Sequence, residues 1–557
     1  MKFARRILHH PGLLCAAAVV GLCSLASCRP NVQNNLPPGN GGGTSAPGGS
    51  SGAGGGANAT GGTGAGGNGG SGGTSAKGGS SGSGTATGGS GGSGGTSAKG
   101  GSSSGGSGGN GGTTATGGSG GIGSGGVSWT GGSGGAGGTS TTPDAAPDTA
   151  PPPPSRGPTK ATPGHNFPFP QNRENNRCVY PALYRNEDVQ AIYNQWKNDT
   201  VTTDGASGFR RVKRPKEPGL EANSTVSEGI GYGMLIAVFM DDQALFDDLW
   251  KYEQKWLDGA TGLMNWYINA AGSGLGSNPS GAGPATDADE DMAYALLMAD
   301  KQWGGKGSLG KNYLDYAKSQ MSAVWNNEIY NFIYLRAGPW ANDSNLNLSY
   351  FAPSYYKLFA KVDQTPTSNW TKVTDTMYTV LSASLNASNG NQNNGLVPAW
   401  CDSSGKPNGQ AYGATGGASP TNYQYDSCRT PFRIGLDWCL TGDTRAQAYV
   451  AKTSSFFSGS MVGGATKIVD GYALNGTAQA QYQTGANASI QSAAFVGPAG
   501  VGAMSSSTYQ TFVNDAYGVL VTGNAVVGGS YYDESWMVLS LLMMTGNFLD
   551  YTTLTPM

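Results

Sequence analysis

The chain has 557 residues, of which 95 are glycine, and its formal net charge is −2 at pH 7. A charge so close to zero gives no basic footprint for binding nucleic acid. Only His9, His10 and His165 could serve a Ser-His-Asp triad, and the cysteines show neither C-x-x-C spacing nor a zinc-site pattern. There is no Walker loop either. Acid–base chemistry would therefore rest on carboxylates, and we expect no cofactor and no metal.

Residues 1–28 have the pattern of an export signal. Three basic residues before residue 7 precede an apolar run, Leu13 to Leu25, which is too short to span a bilayer. The tetrapeptide L-A-S-C that ends at Cys28 resembles the lipobox of bacterial lipoproteins, in which the cysteine is lipidated. Cleavage by the ordinary signal peptidase is the alternative. We expect an exported protein, anchored by lipid at the outer membrane or cell surface, or secreted.

Residues 29–161 are dominated by Gly, Ser, Thr and Ala and end in a Pro-rich segment. The nonapeptide S-G-G-T-S-A-K-G-G occurs at 71–79 and again at 93–101. Such a segment cannot bury a core, so we expect it to be disordered. As a Gly-rich coil of about 130 residues it would span roughly 60 Å and act as a flexible tether.

Residues 162–557 are long enough for one large domain, and their apolar periodicity predicts mainly helices. The expected helices span residues 186–198, 227–240, 242–256, 286–302, 310–325, 351–360, 369–387, 429–440, 443–458, 489–502, 506–517 and 532–545. Twelve helices suit an all-α fold of six helical hairpins closed into an (α/α)6 barrel. Periodicity alone does not separate such a barrel from an open solenoid.

The stretch from Ala285 to Trp303 predicts a helix that carries several carboxylates on its first turn. Thr286 is a suitable N-cap, with Asp289 three residues later, and apolar residues from Met292 onward recur at the spacing of one buried face. In the simpler interpretation the carboxylates only complement the helix dipole, each contributing roughly 0.3–1 kcal/mol. The carboxylates concerned are Asp287, Asp289, Glu290 and Asp291.

Two other segments join acidic residues to helix starts. The first, T-V-S-E-G-I-G-Y-G, contains Glu228 at the start of a helix and glycines that permit close approach. The second, Y-D-S-C-R-T-P-F-R, contains Asp426, Arg429 and Arg433. The alternatives are a glutamate favoured by the helix dipole and a surface Asp–Arg pair worth about 0–1 kcal/mol.

These segments, with G-F-R-R-V and Q-A-L-F-D-D-L, resemble glycoside hydrolase family 8, and Phe432 departs from that pattern where tryptophan is commoner. The resemblance implies an (α/α)6 barrel and hydrolysis with inversion. It implies Glu228 as general acid, Asp426 as general base and Asp287 as the carboxylate that holds and distorts the sugar. Acid and base should lie ~6.5–9.5 Å apart, and the pKa of Glu228 should be raised by burial or by Asp287.

The resemblance further implies an endo-1,4-β-glucanase that acts on cellulose or a related β-glucan. Chitosanase, xylanase or lichenase activity on the same frame remains an alternative, as do an inactive surface glycan-binding protein and a polysaccharide lyase. We expect a monomer. Core packing is the alternative role for each of the aromatic residues among the candidate substrate-binding residues. These candidates are Trp266, Tyr425, Arg429, Trp340 and Tyr532.

Four cysteines fall in the expected domain, and export permits a disulfide without requiring one. Cys428 and Cys439 would lie about three turns apart on one helix, too far to bridge. Cys401 with Cys428 is the pair that we would test first.

Overall fold

The computed structural model describes residues 157–215, 220–365, 368–409, 419–479, 491–522 and 530–557. The expected export signal, Cys28 and residues 29–156 of the expected linker lie outside the described residues. Main-chain hydrogen bonds already join Thr159 to Pro170 and Ala161 to Met557, at 2.9 and 2.7 Å. The described chain thus contacts its own C-terminus just before the expected boundary at residue 162.

The described ranges contain twelve α-helices. They are α1 Asn186–Thr200, α2 Ser227–Phe239, α3 Gln243–Lys255, α4 Thr286–Gln302, α5 Tyr313–Glu328, α6 Pro353–Val362, α7 Trp370–Ser384, α8 Thr430–Thr441, α9 Thr444–Ser458, α10 Ala493–Ala503, α11 Gln510–Val521 and α12 Tyr531–Met544. Each corresponds to an expected helix, and the largest shift of a boundary, four residues, is at α10 and α11. None of these helices is long and apolar enough to cross a membrane.

The even-numbered helices form an inner ring. Helix α12 contacts α2, α2 contacts α4, α6 contacts α8, and α8 and α12 both contact α10. Tyr294 of α4 stacks on Tyr355 of α6 with ring centroids 3.9 Å apart, which completes the ring. Helices α2 and α10 are buried nearly all round, as an inner position requires.

The odd-numbered helices pack outside this ring. Helices α3, α5, α7, α9 and α11 each lie against the inner helix that precedes them in the chain, and α1 packs on α12. Because the first helix covers the last, the six helical pairs close on themselves. The prediction of an (α/α)6 barrel is confirmed, and the open solenoid is wrong.

In the described part of the chain, eight two-residue strands form four antiparallel pairs in the loops. They are β1 Val201–Thr202, β2 Arg211–Val212, β3 Thr225–Val226, β4 Tyr267–Ile268, β5 Ile329–Tyr330, β6 Tyr334–Leu335, β7 Leu346–Asn347 and β8 Trp400–Cys401. Strand β3 pairs with β4 and leads directly into α2, with Val226 opposite Tyr267. Strand β7 pairs with β8, with Asn347 opposite Trp400. These small sheets fix the loops at the starts of inner helices.

The disulfide joins Cys178 to Cys439, whose Cα atoms are 5.5 Å apart, whereas Cys401 and Cys428 are free and buried. The expectation of a Cys401–Cys428 bridge is therefore wrong. The segment before α1 lies along the last turn of α8, where Trp438 Nε1 donates to the Arg177 carbonyl at 2.9 Å. That contact brings together cysteines 261 residues apart in the chain, which no local pattern reveals.

Candidate active site

Arg429 connects two of the expected catalytic carboxylates. Its Nη1 donates to Glu228 Oε2 and to Asp287 Oδ2, each at 2.6 Å, and to the Tyr232 hydroxyl at 2.9 Å. The side chains of Arg429 and Asp287 are 1% and 2% exposed, and that of Glu228 is 19% exposed. Glu228 is thus the member of this cluster that solvent or a substrate can reach.

The starts of four inner helices meet here. Glu228 is the second residue of α2, Asp287 the second of α4, and Arg429 directly precedes α8. Tyr531, the first residue of α12, donates its hydroxyl hydrogen to Glu228 Oε1. Helix N-termini carry partial positive charge, so this end of the barrel favours carboxylates.

Arg429 is itself fixed from the side of α6. Its Nε donates to Ser349 Oγ at 2.9 Å, and its guanidinium carbon lies 5.0 Å from the centre of the Tyr350 ring. Ser349 Oγ donates in turn to Asn347 Oδ1 of β7 at 2.8 Å. A buried cation held this way is compensated by both charge and hydrogen bonds.

The pKa of Glu228 is raised to about 8, chiefly by burial and further by Asp287, while Arg429 and the Tyr531 hydroxyl act in the opposite direction. Glu228 is therefore largely protonated at neutral pH, as a general acid must be. The sequence-based expectation for this pKa agrees with the structure in direction and in cause.

Asp426 lies on the turn before α8. Trp400 Nε1 and Gln424 Nε2 both donate to its Oδ2 at 3.2 Å, and its main-chain N–H donates to Gln424 Oε1 at 3.0 Å. Burial raises the pKa of Asp426, while the positive charge of Arg429 and the two side-chain hydrogen bonds oppose the rise. The surface pair of Asp426 with Arg429 or Arg433 does not form. Both arginines are buried, and Arg429 pairs with Glu228 and Asp287 while Arg433 pairs with Asp291.

Tyr350 relates the acid side of the site to the base side. Burial raises the pKa of the Tyr350 phenol well above its usual value, and Asp287, Arg429, Asp426 and Glu228 all act on it electrostatically. The ring centre of Tyr350 is 5.0 Å from the guanidinium carbon of Arg429, which donates to Glu228 and Asp287, and 6.4 Å from the ring centre of Trp400, which donates to Asp426.

Trp266 and Trp340 lie close to this group. The carbonyl of Trp266 accepts a hydrogen bond from the Ser227 amide at 2.9 Å, which places the half-buried Trp266 beside the start of α2. Trp340 is 40% exposed, and its ring centre is 6.2 Å from that of Trp400, the residue that contacts Asp426. Both positions suit stacking against the apolar face of a sugar ring.

Tyr425 and Tyr532 are packed more deeply. Tyr425 is 9% exposed, its hydroxyl donates to Asp470 at 3.2 Å, and its ring lies edge-on to Phe495 at 5.1 Å. The Tyr532 hydroxyl donates to the Tyr425 carbonyl at 2.9 Å. These contacts agree with the alternative role in packing, and sugar binding by either tyrosine stays a prediction.

The first turn of α4 does more than complement a helix dipole. Asp289, Glu290 and Asp291 are fully buried, with Asp291 paired to Arg433 through Nη2 and Oδ2 at 2.8 Å. Thr286 is the first helical residue rather than the N-cap, and its hydroxyl donates to the Arg336 carbonyl at 2.8 Å. The helix start is therefore held by tertiary contacts.

Sequence reasoning missed several residues at the site. Tyr531 donates to Glu228, whereas the adjacent candidate Tyr532 donates to the Tyr425 carbonyl. Consecutive residues of a helix point in different directions, so the resemblance that suggested Tyr532 did not identify the tyrosine that contacts Glu228. Nothing in the local sequence marks Gln424 or Trp400 as a residue of the site, except that Gln424 directly precedes Tyr425 and Asp426. Ser349, which directly precedes Tyr350, is likewise not marked as a site residue by any local pattern.

Comparisons with known proteins place these features in a family. The sequence profile described as "Glycosyl hydrolases family 8" matches residues 167–546. The chain is 37% identical to Endoglucanase A of Acetivibrio thermocellus over 364 residues, which cover 65% of this chain and 69% of that protein. It is 33% identical to Beta-glucanase of Niallia circulans over 405 residues, which cover 69% of this chain and 92% of that protein.

Solved structures agree with this relationship. The apo structure of a beta-1,3-1,4-glucanase from Paenibacillus sp. X4 matches with a TM-score of 0.60 at 31% identity, over 69% of this chain and 98% of that chain. A cold-adapted family 8 xylanase matches with a TM-score of 0.54 at 22% identity, over 68% of this chain and 98% of that chain, which supports the fold. The profile match, the relatives and the barrel together show that the chain belongs to glycoside hydrolase family 8.

Proposed function

We propose that this protein is an endo-1,4-β-glucanase that cleaves cellulose or a related β-glucan, with Glu228 as acid and Asp426 as base. Membership of family 8 makes it a glycoside hydrolase that inverts the anomeric centre. Endo action is supported by the relatives named endoglucanase, at 33–37% identity. The observation that carries the assignment of roles is the contrast between the two reachable carboxyls. Burial raises the pKa of both carboxyls, and that of Glu228 reaches about 8. At Asp426 two side-chain hydrogen bonds, from Trp400 and Gln424, oppose the rise and favour the charged form that a base needs.

In the proposed reaction Glu228 gives its proton to the glycosidic oxygen as the bond from that oxygen to the anomeric carbon breaks. A water molecule forms the new bond to the anomeric carbon from the opposite face and loses a proton to Asp426. Exchange with solvent then returns both carboxyls to their starting states. Asp287, held by Arg429 beside Glu228, would hold and distort the sugar next to the scissile bond.

The first experiment follows hydrolysis of a defined β-1,4-gluco-oligosaccharide by proton NMR. We expect the α-anomer to be released first, and we expect Glu228→Gln and Asp426→Asn each to lower kcat by ~10²–10⁴ without unfolding the domain. Glu187→Gln is the matched control, since Glu187 is exposed on α1. Full activity of either active-site variant, or first release of the β-anomer, would refute the assigned roles.

The choice of substrate is a separate question within the proposal. Relatives of the chain bear the names endoglucanase, beta-glucanase and beta-1,3-1,4-glucanase, and more distant ones are named exo-oligoxylanases. Reducing-sugar release from carboxymethylcellulose, mixed-linkage glucan, xylan and chitosan compares these classes directly. We expect the first two to be hydrolysed fastest, and action on xylan or chitosan alone would reject a β-glucanase.

The rival from another class is a surface glycan-binding protein without activity. It needs exposed aromatic residues such as Trp340, and it has no use for a protonated Glu228 beside Asp287. Binding of cello-oligosaccharides by the wild-type protein without any hydrolysis would favour this rival.

We also propose that the protein is a monomer tethered to the outer membrane or cell surface by a lipid on Cys28. The support is the L-A-S-C tetrapeptide after a short apolar run, followed by a Gly-rich segment that would let the enzyme reach polymer away from the surface. Fractionation of expressing cells should find the wild type with membranes and Cys28→Ala outside the membrane fraction. Equal distribution of the two forms would reject the anchor.

A further inference from the structure

Both donors to Asp426 reach the same oxygen atom. Trp400 Nε1 and Gln424 Nε2 each lie 3.2 Å from Oδ2. Two donors on one oxygen fix the plane of the carboxylate, and they leave Oδ1 as the oxygen suited to accept a proton from water.

Gln424 is itself held rigidly. It is buried, its main-chain N–H donates to Ser427 Oγ at 2.7 Å, and Ser427 Oγ donates back to the Gln424 carbonyl at 2.9 Å. Its side-chain oxygen accepts the Asp426 amide hydrogen at 3.0 Å. The side-chain amide of Gln424 thus contacts both the main chain and the side chain of Asp426, and these two hydrogen bonds set the orientation of the amide.

Trp400 is fixed from a different part of the chain. Its main-chain N–H donates to the Pro420 carbonyl, and its carbonyl accepts the Asn408 amide hydrogen, both at 3.0 Å. The indole is buried, and its ring centre is 6.4 Å from that of Tyr350. The indole N–H therefore has one well-defined direction.

The β7–β8 pair connects this support to the acid side of the site. Asn347 lies opposite Trp400 in that pair, and it accepts a hydrogen bond from Ser349, which in turn accepts one from Arg429. Arg429 donates to Glu228. The β7–β8 pair, with two residues in each strand, therefore supports both Arg429, which contacts the acid, and Trp400, which contacts the base.

We propose that Trp400 and Gln424 are positioning residues that orient Asp426 for proton abstraction from water. This inference rests on the proposed role of Asp426 as general base. The charged or titratable groups that act on Asp426 or are acted on by it are Arg429, Asp287, Tyr350 and Cys428. Of the groups around Asp426, only Trp400 and Gln424 donate side-chain hydrogen bonds to it within the described residues.

The test is the pH dependence of kcat/KM for Trp400→Phe and Gln424→Met. Trp400→Phe removes the indole N–H and keeps an aromatic ring. Gln424→Met keeps the length of the side chain and removes both the amide N–H and the oxygen that accepts the Asp426 main-chain hydrogen. Loss of a hydrogen bond to a carboxylate raises its pKa, so the acidic limb of the profile should move up by about one pH unit in each variant. At the wild-type optimum we expect kcat to fall about tenfold and KM to change less than twofold.

Trp438→Phe is the matched control, because Trp438 donates its indole hydrogen to a main-chain carbonyl far along α8 from Asp426. It should leave the acidic limb in place. If both active-site variants fold and keep the wild-type limb, the positioning role is refuted. If Trp400→Phe does not fold, Gln424→Met decides alone.

Failure of this inference is distinguishable from failure of the proposed function. Suppose that Asp426→Asn abolishes hydrolysis, while Trp400→Phe and Gln424→Met keep the wild-type acidic limb of kcat/KM. That result retains Asp426 as the base and rejects its positioning by Trp400 and Gln424. Asp426→Asn with full activity rejects the base assignment first, and the positioning role with it.

Discussion

At the scale of single residues, Glu228 is subject to opposing influences from its immediate neighbours. Burial and Asp287 favour its protonated form, whereas Arg429 and the Tyr531 hydroxyl favour the charged form. The balance leaves the pKa near the pH at which a general acid works best. Each neighbour can be removed separately, so the balance is open to measurement.

Asp287→Asn and Tyr531→Phe should move the pH profile in opposite directions. The alkaline limb of kcat/KM reports ionisation of the acid in the free enzyme. Removing the charge of Asp287 lowers the pKa of Glu228 and moves that limb down. Removing the Tyr531 hydroxyl raises the pKa and moves it up. The profiles are measured on a cello-oligosaccharide, whose leaving group requires the proton of the acid. Shifts of the same sign would contradict this account of Glu228.

At the scale of elements, glycines set how closely the inner helices approach. A Cβ built on Gly231 of α2 would lie 3.1 Å from the Ala288 carbonyl oxygen and 3.2 Å from Asp291 Cβ, both on α4. Contacts this tight mean that α4 would have to shift by a few tenths of an ångström to accept a Cβ at this position. The glycine-rich start of α2, expected to permit close approach, does so against α4.

Gly231→Ala should destabilise the barrel by about 1–3 kcal/mol, because α2 and α4 must separate slightly. Gly518→Ala on α11 is the matched control, since a Cβ there meets nothing within 4 Å. That helical glycine should gain about 0.5–1 kcal/mol on substitution by alanine. Denaturant unfolding of both variants measures the contrast, and equal effects would show that packing against α4 is not what requires the glycine.

Three neighbouring helices each contribute one buried carboxyl to a cluster in the interior of the barrel. They are Glu253 of α3, Asp289 of α4 and Glu328 of α5, all fully buried. Burial raises the pKa of Glu253 and of Glu328 to about 8, and it raises that of Asp289, with Glu328 and Glu253 adding to the rise. Folding therefore favours the protonated forms of these groups.

This arrangement predicts that stability falls as the pH rises from about 4.5 to about 8. The sign follows because the folded state holds protons that the unfolded chain releases in that window. Glu253→Gln keeps the size of the side chain and removes one such proton, so its unfolding free energy should fall less steeply, by on the order of a few kcal/mol. Thermal unfolding at pH 5 and pH 8.5 gives the comparison, and parallel slopes for the two proteins would contradict it.

At the scale of the whole molecule, closure depends on contacts between the ends of the described chain. Helix α1 packs on α12, and the Cys178–Cys439 disulfide joins the segment before α1 to α8. The bridge encloses most of the barrel, so it restricts the unfolded chain over a long loop.

Replacing Cys178 and Cys439 together by serine should cost about 2–5 kcal/mol of stability. Reductant should lower the unfolding temperature of the wild type and leave that of the double variant unchanged. Peptide mapping without reduction should find the Cys178 and Cys439 peptides linked, with Cys401 and Cys428 alkylated only after denaturation. A linked Cys401–Cys428 peptide would show that the disulfide is placed elsewhere.

The sequence by itself determined the twelve helices and the family. Helix formation depends on apolar spacing over a few turns, which is local, and α4 was placed at its observed ends. Glu228 and Asp287 could be singled out because each opens such a helix within a long motif. The order and number of helices also suited closed hairpins, although closure itself needed the contact of α1 with α12.

Only the tertiary structure decided which side chains meet. Arg429 contacts Glu228 and Asp287 across 201 and 142 residues of chain, and Trp400 contacts Asp426 from a separate loop. Cys439 is bonded to Cys178, because the segment before α1 folds along α8. Cys401 and Cys428, the pair that the sequence suggested for testing, are free. Such contacts depend on how the helices pack in three dimensions, and the same packing decides that Tyr531 rather than the adjacent Tyr532 contacts Glu228.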